Sequence, residues 1–383
     1  MKNMLNLGYN IPHCNSSSAG DSLPAAVESR KENVAESCVE SQEFGVLNLA
    51  DRDLRELSSK PDYADSLILF LQRNKRLTLI QPSFFDNMPE LHFLDLSDTK
   101  IRNLPSSLFK ISKLKVLLLR NCICLEKLQP EIRELKKMEE LDLSGTELYD
   151  LPAEISQLEH MKRIHLSFYG PDDEWDYKHL PHQLVAPSFL SEMKGIESLS
   201  ISVHPEDHRW TEVAACIIKD ISKLEMLSSL HFYFPKTEMF ENFIETSHSW
   251  NDEKKSLSKF YFTVGQDVKR IASRVPEEVE SLFSQHERCL RYVNGDKTSP
   301  LVKRVIIRAT AFYLDHHTDV RSLSEFDISS FQSLEFCAVR ECPKMQTILD
   351  EEKAKDAFPC LKSLRIYFVW ELRQICKPRS KVW

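Results

Sequence analysis

The stretch LHFLDLSDTKIRNLP, residues 91–105, decides the fold. Leu94 and Leu96 are separated by one residue, so in an extended strand both side chains point to the same face. Thr99 follows where the strand gives way to a turn, and Leu104-Pro105 begins a segment in which proline opposes further strand pairing. A strand this short cannot bury two leucines alone, so the stretch predicts one coil of a larger stack.

The same pattern repeats along residues 67–168, which predicts regular coils there. The paired apolar positions recur at steps of 25, 23, 24 and 23 residues. The turn that leaves each strand varies by one residue while the interior positions keep their spacing, as a stack with a shared core requires. The pairs are Leu69/Leu71, Leu94/Leu96, Leu117/Leu119, Leu141/Leu143 and Ile164/Leu166.

A polar or small residue follows the leucine pair at the same place in four coils, at Asn74, Thr99, Cys122 and Thr146. We call these the ladder positions and expect their side chains to turn inward and bond backbone groups of the turn. Stacking of such units buries a continuous apolar interior. The pattern therefore predicts an α/β fold, namely a leucine-rich-repeat solenoid (horseshoe) with a parallel concave sheet and an irregular convex side, of about eleven coils.

The pattern is weaker outside the regular coils. Residues 1–43 are rich in Ser and Glu, and we expect them to be disordered or poorly ordered. Residues 44–383 are predicted to form one repeat domain, with an atypical first coil at residues 46–57 and irregular coils with inserts over residues 169–383. Two inserts, 210–221 and 279–290, have apolar residues at helical spacing. The further strand pairs expected are Leu199/Ile201, Leu230/Phe232, Phe260/Phe262, Val305/Ile307, Cys337/Val339 and Leu364/Ile366.

Composition excludes several classes of protein. The chain of 383 residues has a formal net charge of -8, which argues against nucleic-acid binding because that requires a basic surface. No window offers the roughly 20 unbroken apolar residues of a membrane span. Ten cysteines are too few for a disulfide-based scaffold, and most fall within apolar repeats. We therefore expect a cytoplasmic protein with reduced thiols.

No arrangement of residues in the sequence indicates catalysis. His204 and His208 have the spacing of two metal ligands on a helix, but Pro205 lies between them and the HExxH glutamate is missing. The string Gly295-Asp296-Lys297-Thr298 lacks the first glycine of a phosphate-binding loop. We therefore predict no catalytic residues, no metal site, no cofactor and no nucleotide binding.

The predicted concave face is the candidate binding surface. Residues between and after the paired leucines point away from the core, and Tyr and Arg are enriched at the energetic centres of protein interfaces. The alternative is that these are ordinary solvated residues of the sheet. The candidate protein-binding residues are Arg120, Asp142, Arg163, His165, Tyr233, Tyr261, Arg308, Arg340, Arg365 and Tyr367.

Several segments resemble the repeats of plant nucleotide-binding leucine-rich-repeat disease-resistance proteins of the coiled-coil class. The resemblance is carried by residues 69–74, by Phe84-Phe85, Met88-Pro89 and 94–97, and by the Cys342-Pro343-Lys344-Met345 and Phe358-Pro359 strings. It covers about residues 44–376. Because the phosphate-binding loop of that family does not occur, the chain is interpreted as the repeat portion alone, lacking the nucleotide-binding domain.

The resemblance implies a non-catalytic role in plant innate immunity. The partner would be a protein: a pathogen effector, a guarded host protein or an immune-receptor module. The chain would sense pathogen proteins or regulate an immune receptor through its concave face. The alternative is a substrate-binding adaptor of a ubiquitin ligase built on the same repeat fold.

Overall fold

The computed structural model describes residues 45–58, 65–168, 180–252, 257–265, 277–295, 299–349 and 358–376. All of them belong to one compact unit, Val39–Trp383. The predicted disordered segment 1–43 lies outside the described residues, so the proposed division at residue 44 stays a prediction.

Short parallel strands build the regular part of the chain. They are β1 (Val46–Asn48), β2 (Glu56–Leu57), β3 (Ile68–Phe70), β4 (Leu79–Ile80), β5 (Phe93–Asp95), β6 (Val116–Leu118), β7 (Glu140–Leu148) and β8 (Arg163–Phe168). The return legs contain 3-10 helices at Phe84–Asn87, Ser106–Lys110, Pro130–Glu134 and Ala153–Gln157. The last three of these begin at or just after the proline of the segment, where a fixed φ and a missing donor suit the start of a helical turn.

Longer strands alternate with helices in the rest of the chain. The strands are β9 (Ser198–Ser202), β10 (Ser229–Phe234), β11 (Lys259–Val264), β12 (Arg288–Val293), β13 (Ala311–Asp315), β14 (Phe336–Arg340), β15 (Thr347–Leu349), β16 (Ser363–Tyr367) and β17 (Gln374–Cys376). The helices are α1 (His208–Ile221), α2 (Thr237–Thr246), α3 (His248–Asn251), α4 (Glu277–Ser284) and α5 (Pro300–Ile306), and 3-10 helices lie at Leu323–Phe326 and Ile328–Phe331.

Within the described residues, thirteen strands form one parallel sheet in the order β1-β3-β5-β6-β7-β8-β9-β10-β11-β12-β13-β14-β16. Two smaller parallel pairs, β2-β4 and β15-β17, flank it. Consecutive coils thus add neighbouring strands to one sheet, and the predicted α/β leucine-rich-repeat solenoid is confirmed. The sheet has two strands more than the eleven coils expected.

The paired leucines fill one continuous core. Leu69, Leu94, Leu117 and Leu141 are aligned in register and are fully buried. The first coil joins the same core through Leu47, Leu54 and Leu57, as predicted. Burial of apolar area, at about 25 cal/mol per Å², stabilises coils that could not bury their leucines one at a time.

The ladder positions also lie in the core, as predicted. Asn74 is fully buried, and its side chain bonds four backbone groups of its own and the preceding coil. The hydroxyls of Thr99 and Thr146 each donate to the carbonyl three residues earlier, at 2.9 and 2.7 Å. Cys122 donates through its thiol to the Leu96 carbonyl at 3.2 Å.

The predicted strand at Val305 and Ile307 is wrong, because residues 300–306 form α5. Two strands, β12 and β13, were missed in this region. All five residues of β13 are buried, so the alternation that marks a strand with one solvated face is absent. Leu290, predicted to share a helical face with Val279, instead lies in β12.

One helix lies on the opposite face of the sheet from the others. Residues of α1, α2 and α5 belong to the leucine core, whereas Val279 and Phe283 of α4 belong to a second cluster on the other face of the sheet. The second cluster consists of Val279, Phe283, Cys289, Ala311, Tyr313, Phe336 and Ala338, with Tyr261, Leu282 and Tyr367 packed against it. The helix in the connection between β11 and β12 therefore covers the sheet face that the other coils leave open.

Candidate interaction surface

The candidate surface is the sheet face opposite the leucine core, which we call the open face. Its central row runs across adjacent strands in register through Phe70, Asp95, Leu118, Asp142, His165, Ser200, His231 and Tyr261. Beside it, Ser167 is paired in register with Ser202, and Thr263 is paired with Tyr233 on one side and Arg291 on the other. The alternation of a strand puts these residues on one side, because each has a core residue as its chain neighbour.

The first strands of the open face present aromatic side chains. Phe70 and Phe93 are half-buried, and their ring centroids lie 5.4 Å apart. Aromatic rings that keep one face accessible are common anchors of protein interfaces. This pair gives the open face an apolar end beside its charged centre.

A hydrogen-bonded cluster forms the centre of the open face. Arg120 donates to Asp142, and His165 Nδ1 lies 3.3 Å from the same carboxylate. Burial alone would raise the pKa of Asp142, but the hydrogen bond from His165 and the charge of Arg120 outweigh it and hold that pKa below its ordinary value. Arg163 donates to Glu140 through Nε at 2.8 Å. Four predicted residues, Arg120, Asp142, Arg163 and His165, are therefore brought together on neighbouring strands.

The aromatic residues of β10 and β11 lie on the open face but are partly covered. The Tyr261 ring packs between His231 at 4.5 Å and Phe283 of α4 at 5.3 Å between centroids. Tyr233 is 7% exposed, and its hydroxyl lies 3.5 Å from the Pro205 carbonyl. Both predicted residues thus line the rim between the uncovered part of the face and α4.

Arg340 lies on the predicted face, but it is buried and bound to the chain itself. Its guanidinium makes a two-bond contact with the Asp315 carboxylate at 2.8 and 2.7 Å, and both side chains are almost fully buried. Arg291 and His316 donate to the same carboxylate. Burial opposes ionisation of Asp315, but these donors more than offset it and lower its pKa. A structural ion-pair cluster occupies the position where the sequence suggested a binding arginine.

Arg308 does not lie on the sheet. It follows α5, and its guanidinium donates to the carbonyls of Trp250 and Leu257 at 3.2 and 2.7 Å while it lies 3.9 Å from the centre of the Trp250 ring. The expectation that Arg308 lies on the concave face of a strand is therefore wrong, because it belongs to the turn that follows a helix.

The last two predicted residues lie on β16, the final strand of the main sheet within the described residues. Arg365 is exposed, and Tyr367 is half-buried opposite Arg340 in the strand register. That each of the ten predicted residues binds a partner stays a prediction. The structure places nine of them on the open face. It joins Arg120, Asp142 and His165 in one hydrogen-bonded cluster, and Arg163 pairs with Glu140 beside it.

A pocket of about 170 Å³ lies at the carboxyl ends of β9 to β12, and sequence reasoning missed most of the residues that form it. Arg291 belongs to β12, which the sequence did not reveal, and Thr263 carries no motif that would mark it. Only the alternation within β9 to β11 could have placed the pocket's serine, threonine and histidine on one face. The pocket is lined by Ile201, Ser202, Val203, Pro205, His231, Tyr233, Thr263, Gly265, Arg291 and Val293.

A second concavity, of about 310 Å³, lies at the amino ends of β6 to β8 and is lined by three lysines, a histidine and Glu139. Glu139 accepts hydrogen bonds from Lys162 and Lys115, which lower its pKa to about 2. This carboxylate is paired with the lysines on either side, and Lys137 also lines the concavity, so among the described lining residues lysines outnumber carboxylates by three to one.

The described part of the chain contains no group of three or more His, Cys, Asp or Glu residues arranged to hold a metal ion. In the same residues, no helix has the length and apolar composition needed to cross a bilayer.

Comparison with known proteins supports the repeat fold. A family model described as a leucine-rich repeat region matches residues 69–213. A protein of Arabidopsis thaliana named a probable disease resistance protein is 38% identical over 71 residues, which are 18% of this chain and 8% of that protein. The chain thus matches only a small part of that relative's length.

Two solved structures are similar at low sequence identity. One is a leucine-rich-repeat protein of Leptospira interrogans, 16% identical, with a TM-score of 0.46 and coverage of 88% of this chain and 91% of that one. The other is an internalin of Listeria monocytogenes, 14% identical, with a TM-score of 0.42 and coverage of 72% of this chain and 74% of that one.

Proposed function

We propose that the chain is a non-catalytic recognition module that binds a protein through the open face, in its uncovered part from β3 to β10. The observation that carries the proposal is the ordered row of side chains across seven adjacent strands, from Phe70 to His231. A broad row of aromatic, charged and hydroxyl groups on a rigid sheet suits many simultaneous weak contacts with a folded surface.

The physical basis of such binding is preorganisation. The Arg120–Asp142–His165 cluster already holds its side chains in place, so these side chains would lose little rotamer entropy when a partner binds. The same pairing reduces the net charge of the centre, which favours recognition by shape and hydrogen bonding rather than by long-range attraction.

The proposed biological setting is plant innate immunity. Support comes from the partial match to a protein named a probable disease resistance protein and from the repeat family match. In this proposal the chain acts in the cytoplasm, and its partner is a pathogen effector, a guarded host protein or an immune-receptor module. It neither hydrolyses nucleotide nor depends on a cofactor.

The proposal can be tested by proximity labelling in plant leaf cells. The chain would be fused to a biotin ligase and compared with the double variant Phe70→Lys and Phe93→Lys, which changes the aromatic end of the open face. The matched control is Lys136→Glu, an exposed residue in a return leg. We expect labelled proteins that the control retains and the double variant loses, with thermal melts unchanged. Equal labelling by all three proteins would contradict the proposal.

A further inference from the structure

The carboxylate of Asp95 has apolar neighbours on the open face. In the strand register Asp95 lies opposite Phe70 of β3 on one side and Leu118 of β6 on the other. Phe93 precedes it by two residues on β5 and therefore shares its face. Asp95 and both phenylalanines are half-buried, so a partner can reach them, whereas Leu118 is 7% exposed. An acidic group is thus bordered on three sides by apolar side chains.

Asp95 forms no ion pair within the part of the chain that the structure describes; its side chain accepts the backbone N–H of Ser97 at 2.9 Å. The charge of Arg120 acts on Asp95, but that guanidinium is itself hydrogen-bonded to Asp142. Burial holds the pKa of Asp95 above its ordinary value, because Ser97 and Arg120 do not offset it. The charge of Asp98 acts in the same direction as burial. A further cation close to Asp95 would therefore stabilise its ionised form.

The two phenylalanine rings beside Asp95 are suited to the rest of a basic side chain. Their centroids lie 5.4 Å apart, and the ring planes are inclined by 59°. The face of an aromatic ring attracts a cation, and its apolar body packs against the methylene groups of a lysine or arginine. The cation–π contacts among the described residues use the rings of Trp250 and Tyr313, and neither Phe70 nor Phe93 is engaged in one there.

We propose that Asp95, Phe70 and Phe93 form a subsite of the open face for one lysine or arginine side chain of the protein partner. The carboxylate pairs with the charged head of that side chain, and the rings pack against its aliphatic stem. The inference rests on the proposed function and names the chemistry of the partner at one contact.

Other side chains fit this subsite less well. An apolar side chain laid over Asp95 would remove the carboxylate from water without supplying a partner, which costs free energy. An acidic side chain would be repelled by Asp95 and by Asp98, whose charge already acts on it. A cationic side chain brings both the opposite charge and the N–H donors that a carboxylate accepts, and hydrogen bonds between charged groups are stronger than neutral ones. Charge complementarity therefore selects a basic side chain as the occupant.

The test uses the full chain and a displayed library of random dodecapeptides. Peptides selected on the wild-type chain would be measured for binding to Asp95→Asn, which keeps the size of the side chain and can still accept the Ser97 N–H. The matched control is Glu131→Gln, which also removes one carboxylate, at an exposed position of a return leg. Each peptide would also be made with its basic residues changed one at a time to glutamine, and thermal melts would confirm that the variants fold.

We expect the selected peptides to share a lysine or arginine. Asp95→Asn should weaken their binding by about tenfold or more, and so should the change of that peptide residue to glutamine. The two changes together should weaken binding little more than either one alone, because they remove the same contact. Glu131→Gln should bind the peptides as the wild type does, and added salt should weaken the binding of the unchanged peptides.

Peptides that bind the open face without a basic residue would overturn the inference. So would a loss in Asp95→Asn that is equally large for the glutamine peptides, or a selection that yields no binder, since a subsite for one side chain should hold a short segment. The labelling in plant cells judges the proposed function separately. Labelled proteins that the Phe70→Lys, Phe93→Lys chain loses there leave the proposed function standing even when the inference fails, whereas equal labelling contradicts the proposed function itself.

Discussion

At the residue scale, Asn74 joins two coils through its side chain alone. Its amide oxygen accepts from the backbone N–H groups of Arg52 and Leu54 at 3.0 and 3.1 Å, and its amide nitrogen donates to the carbonyls of Leu49 and Leu71 at 2.8 and 2.7 Å. Threonine at the same position of other coils satisfies fewer backbone groups, since it carries one hydroxyl. Asparagine therefore suits position 74, because its side chain supplies hydrogen-bond partners to the Arg52 and Leu54 N–H groups and the Leu49 carbonyl of the first coil.

Replacing Asn74 should destabilise the chain measurably. We expect Asn74→Ala to lower the free energy of unfolding by about 3 kcal/mol, because it leaves several buried backbone groups without partners at about 1–3 kcal/mol each. Asn74→Thr should recover part of the loss through a bond to the Leu71 carbonyl. Urea denaturation at 25 °C measures the effect, with exposed Asn87→Ala as the control. Equal midpoints for all four proteins would show that the ladder side chains add nothing to stability.

A buried histidine makes stability depend on pH. His317 is 3% exposed, and its Nε2 lies 3.2 Å from the Tyr292 carbonyl oxygen. Burial lowers its pKa to about 4 from an ordinary value near 6.5. Between these values the unfolded chain binds a proton at this site that the folded chain does not, so the free energy of unfolding falls as the pH is lowered.

We expect His317 to contribute a loss of up to about 1.4 kcal/mol per pH unit, approaching 3 kcal/mol between pH 6.5 and 4. The variant His317→Phe keeps a ring against Tyr292, whose centroid lies 4.8 Å from that of His317, but it cannot titrate. Its stability should therefore depend less steeply on pH over this window than that of the wild type. Denaturant midpoints at pH 7.5, 6 and 5 provide the measurement, and parallel pH profiles for the two proteins would refute the assignment.

At the element scale, α4 buries the open face of β11 to β14, so these strands carry apolar side chains on both faces. The helix places Phe283 within 5.3 to 6.0 Å of the rings of Tyr261, Tyr313 and Phe336, so this part of the sheet is covered on both faces. Meanwhile α5 packs against α2 and α3 on the leucine-core side, where Arg308 bonds the Trp250 carbonyl and Arg304 bonds Asn251. Because α4 lies on the open face, no helix of its coil separates α5 from α2 and α3 on the leucine-core side, and these helices are in direct contact.

Removing the Phe283 ring should loosen the second cluster without unfolding the regular coils. We expect Phe283→Ala to cost about 3–5 kcal/mol, the usual loss for a fully buried phenylalanine. Amide exchange should accelerate in α4 and β12 and remain unchanged in β5 to β7. Exposed Gln285→Ala is the control in the adjacent turn. Unchanged protection of α4 in Phe283→Ala would mean that the helix is held by something other than its contact with the sheet.

The same element explains how far the sequence could predict this fold. Where one face of the strand is solvated, alternation survives, and pairs such as Leu69/Leu71 and Leu199/Ile201 were placed correctly. In β13 both faces are buried, so Ala311, Phe312 and Tyr313 form an unbroken apolar run that has no period of two. The burial of Arg340 follows from the same coverage, and nothing local in the sequence indicates a helix on the other face. Sequence patterns located the open face but could not show which part of it the chain itself covers.

At the scale of the whole molecule, the regular coils and the helical coils meet at a buried ion pair. Asp207 and Arg209 are 1% and 3% exposed and share two hydrogen bonds at 3.0 and 2.7 Å. The remaining amino group of Arg209 donates to the Tyr149 carbonyl at 2.9 Å and the Pro181 carbonyl at 3.1 Å. One guanidinium therefore links the start of α1 to the return leg of a regular coil.

In a stack of repeats, the free energy of unfolding is approximately the sum of the stabilities of the single coils and of the interfaces between neighbours. Weakening one interface should therefore allow the coils on its two sides to unfold separately. We expect Arg209→Met to lower stability by about 3–5 kcal/mol, because it leaves Asp207 as a buried charge without its partner. It should also separate the unfolding of residues 65–168 from that of residues 198–315.

The chain allows both sides to be followed independently. Residues 65–168 contain no tryptophan, whereas Trp210 and Trp250 lie in α1 and α3, so fluorescence follows these helices and not the regular coils. Amide exchange on peptides from residues 65–168 reports the regular coils. The two denaturation curves should coincide in the wild type and diverge in Arg209→Met. Arg133→Met, which removes an exposed partner of Glu134, is the matched control and should leave both curves in place because a surface ion pair contributes little. If the curves of Arg209→Met still coincide, the leucine core alone couples the two parts, and the ion pair serves only to position α1.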